Sequence, residues 1–324
     1  MATAMSVLML ILKVAGGLIG ALILLMIVLG AGSNLLRSGA APTGDMIAVD
    51  GDRRLHCICK GPESAPLVLY DAGAFGIYTD GWWLLEELSK DHRICLYDRA
   101  GMGWSDPPPD GVRPDPDWHV EDMRRLRQAL GQDDPFVLIG HSMAGIRLHA
   151  YANAYPEELR GLVFVDAARP QTIDPARIEQ FVPWMSRILS VSGFFARIGV
   201  TSGVALFMPD ELDLPADQAR DKRRSIAAVS HHKATKTELL AAAAAWPDAS
   251  WRSESRAEEL PVFVFTNSAG GGANGTVADA SISVTGIGNV TVLPDESHVS
   301  LLNQTNALLI ARDVRTLTQG PTDD

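Results

Sequence analysis

The sequence predicts an α/β fold in which a mostly parallel sheet is flanked by helices on both sides. Two patterns lead to this prediction. From residue 45 onward, apolar runs of strand length alternate with helical stretches that could serve as crossover connections. Several of the runs are apolar almost throughout and rich in β-branched residues, as strands buried on both faces must be.

Seven apolar runs are expected to form the strands of the sheet. They cover residues 54–60, 66–73, 93–98, 136–142, 162–167, 261–267 and 290–294. Four helical stretches are expected to pack against the two faces of the sheet. They cover residues 81–90, 117–130, 143–155 and 304–317. Because parallel neighbours cannot be joined by a tight turn, this alternation favours parallel pairing.

A helical cap is predicted where the alternation stops, between residues 171 and 258. This stretch has no convincing strand, carries helical patterns at 174–190 and 235–248, and is rich in large apolar side chains. Most of those side chains are expected to pack inside the cap, and a minority to line a pocket. The cap interrupts a core that is predicted to comprise residues 46–170 and 259–324.

The N-terminal segment, residues 1–34, is predicted to be a transmembrane helix that is retained as a single-pass membrane anchor. Residues 14–32 carry no charge, and about 20 apolar residues match the hydrocarbon thickness of a bilayer. The chain start lacks the basic residues of a typical signal peptide, and its apolar core is longer. Small residues near Ala31 leave cleavage and secretion as the alternative. Residues 35–45 are expected to form a linker.

The charge and the cysteine content of the chain indicate which partners and cofactors to expect. The net charge is −11 at pH 7, whereas nucleic-acid binding needs basic surface, so no nucleic-acid partner is expected. The three cysteines, Cys57, Cys59 and Cys95, have no paired spacing and are expected to be free, buried thiols. Cys57 and Cys59 would face the same side of one strand. They offer only half of a metal-binding pattern, and we expect neither a metal nor an organic cofactor.

Residues 135–156 carry the motif most typical of catalysis. An apolar strand ends at Gly140, a short turn follows, and a helical pattern begins. Such a turn holds its central residue, Ser142, in a strained backbone conformation, and it needs small residues two positions before and after, here Gly140 and Ala144. The turn would present the Ser142 hydroxyl at a helix N-terminus, where backbone N–H groups stabilise negative charge. The alternative is an ordinary turn serine.

A serine hydroxyl is a weak nucleophile and needs a base to activate it. His298 is the best-placed histidine, because it follows a strand-like run and precedes the C-terminal helix. His141 adjoins the serine but would point away from it. His231 and His232 lie in the predicted cap, where an exposed position is expected and contact with a substrate is the alternative.

Four segments resemble the α/β-hydrolase superfamily, over a range from about residue 46 to the C-terminus. The turn GHSMAG is similar to the G-x-S-x-G elbow of that superfamily, with Ala144 in place of the last glycine. YDRAGMGWSD (97–106) resembles the loop after its fourth strand. RLHCICKG with LVLYDAGAFG resembles its second and third strands with the oxyanion loop, and YPEELRGLVFVDAARP resembles the stretch through its sixth strand. The resemblance implies a catalytic triad in the chain order nucleophile, acid, histidine.

The resemblance leaves two candidates for the acid of the triad. Members of the superfamily usually carry it just after the seventh strand, where this chain has a glycine-rich stretch and no acid before Asp279. Other members carry it at the end of the sixth strand, where Asp166 stands. We favour Asp166 because Asp279 is far from its strand. The alternative role for Asp166 is a strand-end residue that bonds the backbone.

The resemblance also implies an oxyanion hole built from two backbone N–H groups. One belongs to Met143, the residue after the nucleophile, and the other is assigned to Ala74 in the loop after the third strand. Asp98 and Arg99 would brace the loop structure and take no part in the reaction.

These features predict a membrane-anchored serine esterase that forms an acyl-enzyme on Ser142. The apolar cap and the anchor favour a small-molecule or lipid-like ester as substrate. Cleavage of amide, lactone or carbon–carbon bonds is the alternative within the fold, and a non-catalytic binding or scaffold protein is the alternative to an enzyme. Epoxide hydrolysis is disfavoured, because those members of the superfamily carry aspartate at the nucleophile position. The sequence indicates no particular oligomeric state.

Overall fold

The computed structural model describes residues 2–37, 41–249, 256–267 and 288–319. Within these residues one sheet contains the strands β1 (Asp45–Asp50), β2 (Arg53–Lys60), β3 (Leu67–Asp71), β4 (Arg93–Tyr97), β5 (Phe136–His141), β6 (Leu159–Val165), β7 (Val262–Thr266) and β8 (Gly288–Val292). Their order across the sheet is β1-β2-β4-β3-β5-β6-β7-β8. The pairs β1–β2 and β2–β4 are antiparallel, and all the other neighbours in this order are parallel. The mostly parallel sheet predicted from the sequence is confirmed.

The central strands are buried along their whole length. Every residue of β3 and β5 is buried, as their almost uninterrupted apolar sequences require. Leu69 pairs with Leu138, and the register continues until Asp71 pairs with Gly140. The carboxyl ends of β3, β5 and β6 therefore meet at one edge of the sheet.

The first strand, β1, is absent from the sequence-based expectation. It lies at the edge of the sheet and pairs with β2, with Met46 beside His56. Its residues are exposed or only partly buried. An edge strand of this kind lacks the continuous apolar run that reveals a buried strand, so its pattern does not stand out in the sequence.

The helices are α1 (Ala2–Arg37), α2 (Trp82–Leu88), α3 (Pro116–Ala129), α4 (Ala144–Ala154), α5 (Pro175–Arg197), α6 (Val200–Ala205), α7 (Ala216–Ile226), α8 (Val229–Ala245) and α9 (Gln304–Gln319). Four of them cover the sheet. α3 and α4 pack on one face, where Met123 and Leu148 are fully buried. α2 and α9 pack on the other face, where Leu85 and Ile310 are fully buried. Both faces of the sheet are therefore shielded from water.

The stretch predicted as a cap holds α5 to α8, and we refer to it as the cap. α5 packs along α8 and buries Leu189 there. α5 runs past the predicted end of its helical pattern to Arg197, shortly before Gly199, which has a left-handed φ of 82°. α6 and α7 are not anticipated from the sequence. α6 has only 6 residues, and α7 is mostly charged, so neither presents a clear apolar periodicity.

The N-terminal helix α1 is longer than predicted. It continues to Arg37, three positions into the stretch expected to be a linker. The part from Met5 to Gly32 is long and apolar enough to cross a membrane, although a signal sequence would meet the same criterion. Most of α1 is exposed, and its end contacts α6.

The prediction of three free cysteines is wrong. Cys59 and Cys95 form a disulfide, and only Cys57 is a free thiol. The two partners are 36 residues apart and come together because β2 and β4 run antiparallel with Cys59 directly opposite Cys95. Spacing along the chain does not reveal such a cross-strand pair. Cys57 faces the same side of β2 as Cys59, with the two sulfur atoms 3.6 Å apart, and burial raises its thiol pKa.

Candidate active site

Ser142 lies in the sharp turn between β5 and α4. Its φ is 56°, in the left-handed region that residues other than glycine rarely adopt. Three backbone hydrogen bonds hold it there. The Ser142 N–H donates to the Val165 carbonyl at 3.1 Å, and the Ser142 carbonyl accepts from the N–H groups of Ala168 at 2.8 Å and Gly145 at 3.1 Å. Strain of about 1–3 kcal/mol persists only where neighbouring structure enforces it, and such places cluster at functional sites.

The turn requires small residues on both sides of Ser142. A Cβ atom on Gly140 would lie 2.5 Å from a methyl carbon of Leu148 and 3.1 Å from the Cβ of Ala144. A Cβ atom on Gly145 would lie 2.1 Å from the Ala168 carbonyl oxygen. Alanine is accepted at position 144, where the family pattern has glycine, and its side chain is fully buried. The residue at which α4 approaches the loop after β6 too closely for a side chain is Gly145.

Asp166 directly follows β6, at the same sheet edge as Ser142. Its φ is 40°, a left-handed conformation that aspartate tolerates better than most residues. Its N–H donates to the Phe265 carbonyl at 2.7 Å, and its Oδ1 accepts from the Thr266 hydroxyl at 3.3 Å. The backbone-bonding role considered for this residue is therefore present. The other carboxylate oxygen, Oδ2, is directed away from these contacts and remains available for a further partner.

That partner is His298. Its Nδ1 lies 2.5 Å from Oδ2 of Asp166, a distance at which the imidazole donates to the carboxylate. A proton held on Nδ1 leaves Nε2 as the basic nitrogen of the neutral ring. The Asp166 side chain is 5% exposed, whereas that of His298 is 40% exposed. The carboxylate is thus shielded from water while the imidazole remains accessible. Asp279, the second candidate for the acid, lies outside the described residues.

His141 joins His298 to the nucleophile turn. Its ring Nε2 lies 2.9 Å from the backbone carbonyl of His298, and the two rings stack with centroids 4.5 Å apart. Burial, with a smaller contribution from His298, lowers the pKa of His141 to about 4. His141 is therefore neutral near pH 7 and donates from Nε2. The sequence suggested only that its side chain points away from Ser142, and nothing in the pattern indicated this contact.

The loop after β3 packs directly against Ser142. A Cβ atom on Gly73 would lie 2.8 Å from the Cβ of Ser142 and 3.2 Å from the His141 carbonyl oxygen. The loop turns back at once, because the Gly76 N–H donates to the Gly73 carbonyl at 3.1 Å. Ala74, the predicted second oxyanion donor, follows Gly73 and is exposed. Met143, the predicted first donor, is partly buried at the start of α4. The structure thus brings both predicted donor segments beside Ser142.

The family assignment follows from comparison with known proteins. The model of the alpha/beta hydrolase fold family matches residues 66–268, more than half of the chain. The chain belongs to the α/β-hydrolase family. A strained serine elbow, an acid after β6 and a histidine before the last helix are therefore found on a fold that supports hydrolase chemistry.

Relatives of this α/β-hydrolase are matched over part of their length. An uncharacterized protein of Schizosaccharomyces pombe is 31% identical over 50% of this chain and 34% of its own length. The mouse (lyso)-N-acylphosphatidylethanolamine lipase is 27% identical over 45% of this chain and 44% of its own length. The chain spans less than half of the length of these curated relatives.

Solved structures share the fold at low sequence identity. A thermophilic esterase from Thermogutta terrifontis superposes with a TM-score of 0.58 and 19% identity, over 86% of this chain and 100% of that chain. Epoxide hydrolases from metagenomes of hot environments superpose with a TM-score of 0.59 and 15% identity, over 85% of this chain and 98% of that chain. Since both reactions occur on this fold, the reaction has to be argued from the site.

A buried charge cluster supports the loop after β3 of this α/β-hydrolase. Arg99 donates to the carbonyls of Ala72 and Gly73 at 2.5 and 2.8 Å. Arg147, on α4, donates to the Ala72 carbonyl at 2.7 Å and to Asp71 at 2.6 Å. These contacts fit the predicted bracing role of Arg99. The role of Arg147 was not predicted, because a single arginine in a helical stretch is usually expected to lie on the surface.

The same two arginines bind the cap through Glu238 on α8. Arg147 Nη1 lies 2.6 Å from a Glu238 carboxylate oxygen, and Arg99 Nε lies 3.2 Å from it. Burial alone would raise the pKa of Glu238, but the charges of Arg99 and Arg147 lower it to about 2. Glu238 is therefore ionised at all ordinary pH values. The Glu238 carboxylate of the cap therefore balances the charge of the arginines that hold the loop beside Ser142.

The two cap histidines, His231 and His232, are buried, and the expectation of exposed surface is wrong. They are 1% and 8% exposed. The reason is that α8 lies between α5 and the core. His232 Nδ1 lies 3.2 Å from the Ser192 hydroxyl of α5, while Thr235 contacts Met102 of the core. Burial lowers the pKa of His231 to about 4, so it is neutral near pH 7.

Proposed function

We propose that this chain is a membrane-anchored serine hydrolase that cleaves a carboxylic ester through an acyl-enzyme on Ser142. His298 acts as the base, and Asp166 holds the histidine. The observation that carries the proposal is the 2.5 Å contact between Asp166 and His298, with Asp166 at the strand end that adjoins the turn of Ser142. The φ of Ser142 is 56°, and His298 contacts His141, the residue before it. A buried carboxylate that orients an accessible imidazole at the turn of a strained serine is the arrangement that activates a hydroxyl.

Acylation begins when the Ser142 oxygen attacks the ester carbonyl carbon. As the O–C bond forms, the hydroxyl proton moves to Nε2 of His298, and the carbonyl oxygen becomes an oxyanion. The backbone N–H groups of Met143 and Ala74 donate to that oxyanion. The intermediate then breaks its bond to the leaving alkoxide oxygen, which takes the proton from His298 and departs as an alcohol.

Deacylation repeats these steps with water as the nucleophile. His298 takes a proton from water as the hydroxide adds to the acyl carbon, and it returns the proton to the Ser142 oxygen as the carboxylic acid leaves. Asp166 fixes the ring tautomer with the proton on Nδ1, and its carboxylate stabilises the imidazolium that forms twice in each cycle.

A lipid-like ester is the substrate class that we favour. α1 is long and apolar enough to retain the enzyme at a membrane, where lipophilic esters concentrate. The cap carries large apolar side chains, and the mouse relative is named a (lyso)-N-acylphosphatidylethanolamine lipase. A serine at position 142 argues against epoxide hydrolysis, for which the superfamily uses an aspartate nucleophile. Amide, lactone and carbon–carbon cleavage are tested by the same assay with other substrates.

The test is a series of p-nitrophenyl esters of increasing acyl length, assayed with the full chain in detergent. We expect turnover that rises with chain length, and loss of kcat on the order of 10⁶-fold in Ser142→Ala. Ser190→Ala, which removes an exposed hydroxyl on α5, is the matched control and should retain full activity. If the purified chain turns over no ester of any length, or if Ser142→Ala stays active, the proposal is wrong. A non-catalytic binding protein would give the first of these results.

A further inference from the structure

The outer face of α5 carries a continuous apolar stripe. Its members are spaced three and four residues apart along the helix, so they share one side. They are Phe181, Trp184, Ile188, Val191 and Phe195, each between 40% and 56% exposed. In the part of the chain that the structure describes, no other segment covers this face. Isolated exposed apolar residues are ordinary, but a stripe of this length indicates an interaction surface.

The stripe is separate from the face that α5 needs for folding. Val182, Leu189 and Ala196 lie seven residues apart on the opposite side of α5 and are buried, where α5 packs along α8. The helix is therefore apolar on two sides, although one side suffices to pack the cap. Packing of the cap does not explain the outer stripe.

The apolar surface continues beyond α5 around α6. Val204 and Leu206 are each 50% exposed, and Phe207 is 72% exposed. α6 contacts α5, so this second group belongs to the segment that packs on the helix of the stripe. We call the two groups together the outer cap face.

The outer cap face adjoins the end of the candidate membrane helix. α1 packs on α6 through glycine contacts that leave no room for a side chain. A Cβ atom on Gly30 would lie 1.9 Å from the Gly199 carbonyl oxygen, and one on Gly203 would lie 2.9 Å from the Met26 carbonyl oxygen. The cap is thus in direct contact with residues 26–30 of α1.

The position of this contact along α1 indicates how deep in a bilayer the cap would lie. Residues 5–25 precede the contact with the cap, and their side chains are exposed. At 1.5 Å per residue, the uncharged residues 14–32 measure roughly 30 Å, the thickness of a bilayer's hydrocarbon core. If they span that core, Met26 lies about 9 Å inside the boundary at Gly32, and the cap helix that Met26 touches reaches a similar depth.

The charges on α5 suit an anionic membrane surface. Arg177, Arg187 and Arg197 are spread along the helix, and Glu179 is its one acidic residue. Arg187 lines the same shallow groove as Trp184 and Phe195. This local basic character contrasts with the chain's net charge of −11. Apolar rings flanked by arginines are the composition of helices that lie in the lipid–water interface.

We propose that the outer cap face docks into the interface of the bilayer that α1 spans, with the α5 stripe immersed among lipid headgroups and upper acyl chains. This inference rests on the proposed retention of α1 as an anchor and does not depend on the hydrolytic reaction. Docking would hold the cap against the membrane and admit a lipid-like substrate from the bilayer side.

Trp184 makes the proposal measurable by fluorescence. The full chain is reconstituted in vesicles of phosphatidylcholine and phosphatidylglycerol that carry bromine at a shallow acyl position. The emission of Trp184 is obtained as the difference between wild type and Trp184→Phe. Interfacial helices bury their apolar face about 5–10 Å deep, so shallow bromine atoms should remove this component, while aqueous iodide should not.

A matched control is Trp118→Phe. Trp118 lies on α3 of the core, where Arg53 stacks on its ring at 5.2 Å. Its emission should be insensitive to brominated lipid. Resistance of the chain to alkaline carbonate extraction checks the anchor separately, and turnover of a short water-soluble ester checks the hydrolase, so failure of either is distinguishable from failure of docking.

The proposal is overturned if the Trp184 component survives in brominated vesicles while the chain remains anchored. Quenching by iodide would then mean that the outer cap face is in water. Protection from both quenchers would mean that a second copy or another protein covers it.

Discussion

At the scale of single residues, the site depends on backbone positions that few side chains tolerate. Ser142 and Asp166 both have positive φ, and they face each other across adjacent strand ends. The hydrogen bonds that impose these conformations run between the two turns, from Ala168 to Ser142 and from Ser142 to Val165. The proposed nucleophile and the proposed acid are therefore positioned by one shared piece of backbone.

The role of Asp166 predicts a large loss of rate in Asp166→Asn. The amide keeps the size of the side chain but favours the wrong tautomer of His298, so kcat should fall by about 10³–10⁴ with little change in KM. Steady-state kinetics on a p-nitrophenyl ester measures this. Asp279→Asn, the matched control, should stay within a few-fold of wild type. The opposite pattern, with Asp279→Asn inactive, would assign the acid to Asp279.

The contact between Gly73 and Ser142 predicts that Gly73→Ala impairs catalysis more than folding. The new methyl group would lie 2.8 Å from the Ser142 Cβ, so the loop or the serine must shift. Displacement of reacting groups by about 1 Å costs roughly 10²-fold in rate. We expect kcat to fall by about this factor while the melting temperature changes little. An unchanged kcat would mean that the loop does not border the reaction centre.

At the scale of secondary-structure elements, the cap and the core are joined through buried charge. α8 supplies Glu238, α4 supplies Arg147, and the loop after β4 supplies Arg99. Carbonyls of the loop after β3 complete the hydrogen bonding of the two arginines. Removing one partner from such a buried network leaves the opposite charge uncompensated.

Glu238→Gln should therefore destabilise the protein by about 3–5 kcal/mol. The pH dependence gives a second signature. The pKa of Glu238 is lowered from 4.5 to about 2, so its stabilising contribution is complete above pH 4.5 and is lost as pH falls toward 2. Thermal unfolding in detergent, compared between wild type and Glu238→Gln, should show a difference that shrinks over this range. A difference that is constant with pH would contradict the ionised role of Glu238.

The pairing of β2 with β4 makes a prediction about thiols. Denatured but unreduced chain should take up one alkyl group, at Cys57, and reduced chain should take up three. Mass spectrometry of iodoacetamide-treated protein, purified under oxidising conditions, counts these groups. Three groups without reductant would mean that Cys59 and Cys95 are unbonded. A disulfide would also indicate that the core faces an oxidising compartment.

At the scale of the whole molecule, the sequence predicted what depends on local pattern. The runs that became β3 and β5 are apolar until their last residues, and the GHSMAG turn carries its own steric requirement. β1 was not predicted, because an edge strand does not need a continuous apolar sequence. The antiparallel pairing of β2 with β4 was not predicted, because the alternation of strands and helices favoured parallel neighbours. The Cys59–Cys95 disulfide depends on that pairing and was therefore not predicted either.

The contacts that hold the candidate site in place were the hardest feature to predict from the sequence. His141, Arg147 and Glu238 contact groups that lie far from them in the chain, at separations between 75 and 157 residues. No sequence motif indicates these contacts, because each depends on how the cap and the helices pack against the sheet. His231 and His232 were misjudged for the same reason, since only the docking of α8 between α5 and the core buries them.

Peptide mapping of the full chain after reaction with a fluorophosphonate tests directly whether Ser142 is the nucleophile. Such a probe forms a stable bond only with an activated serine, so we predict one adduct, on the peptide that contains Ser142. The adduct should be absent in His298→Ala and in heat-denatured protein. An ester-hydrolysing preparation that carries no adduct, or carries it on another residue, would contradict the assignment of Ser142 as the nucleophile.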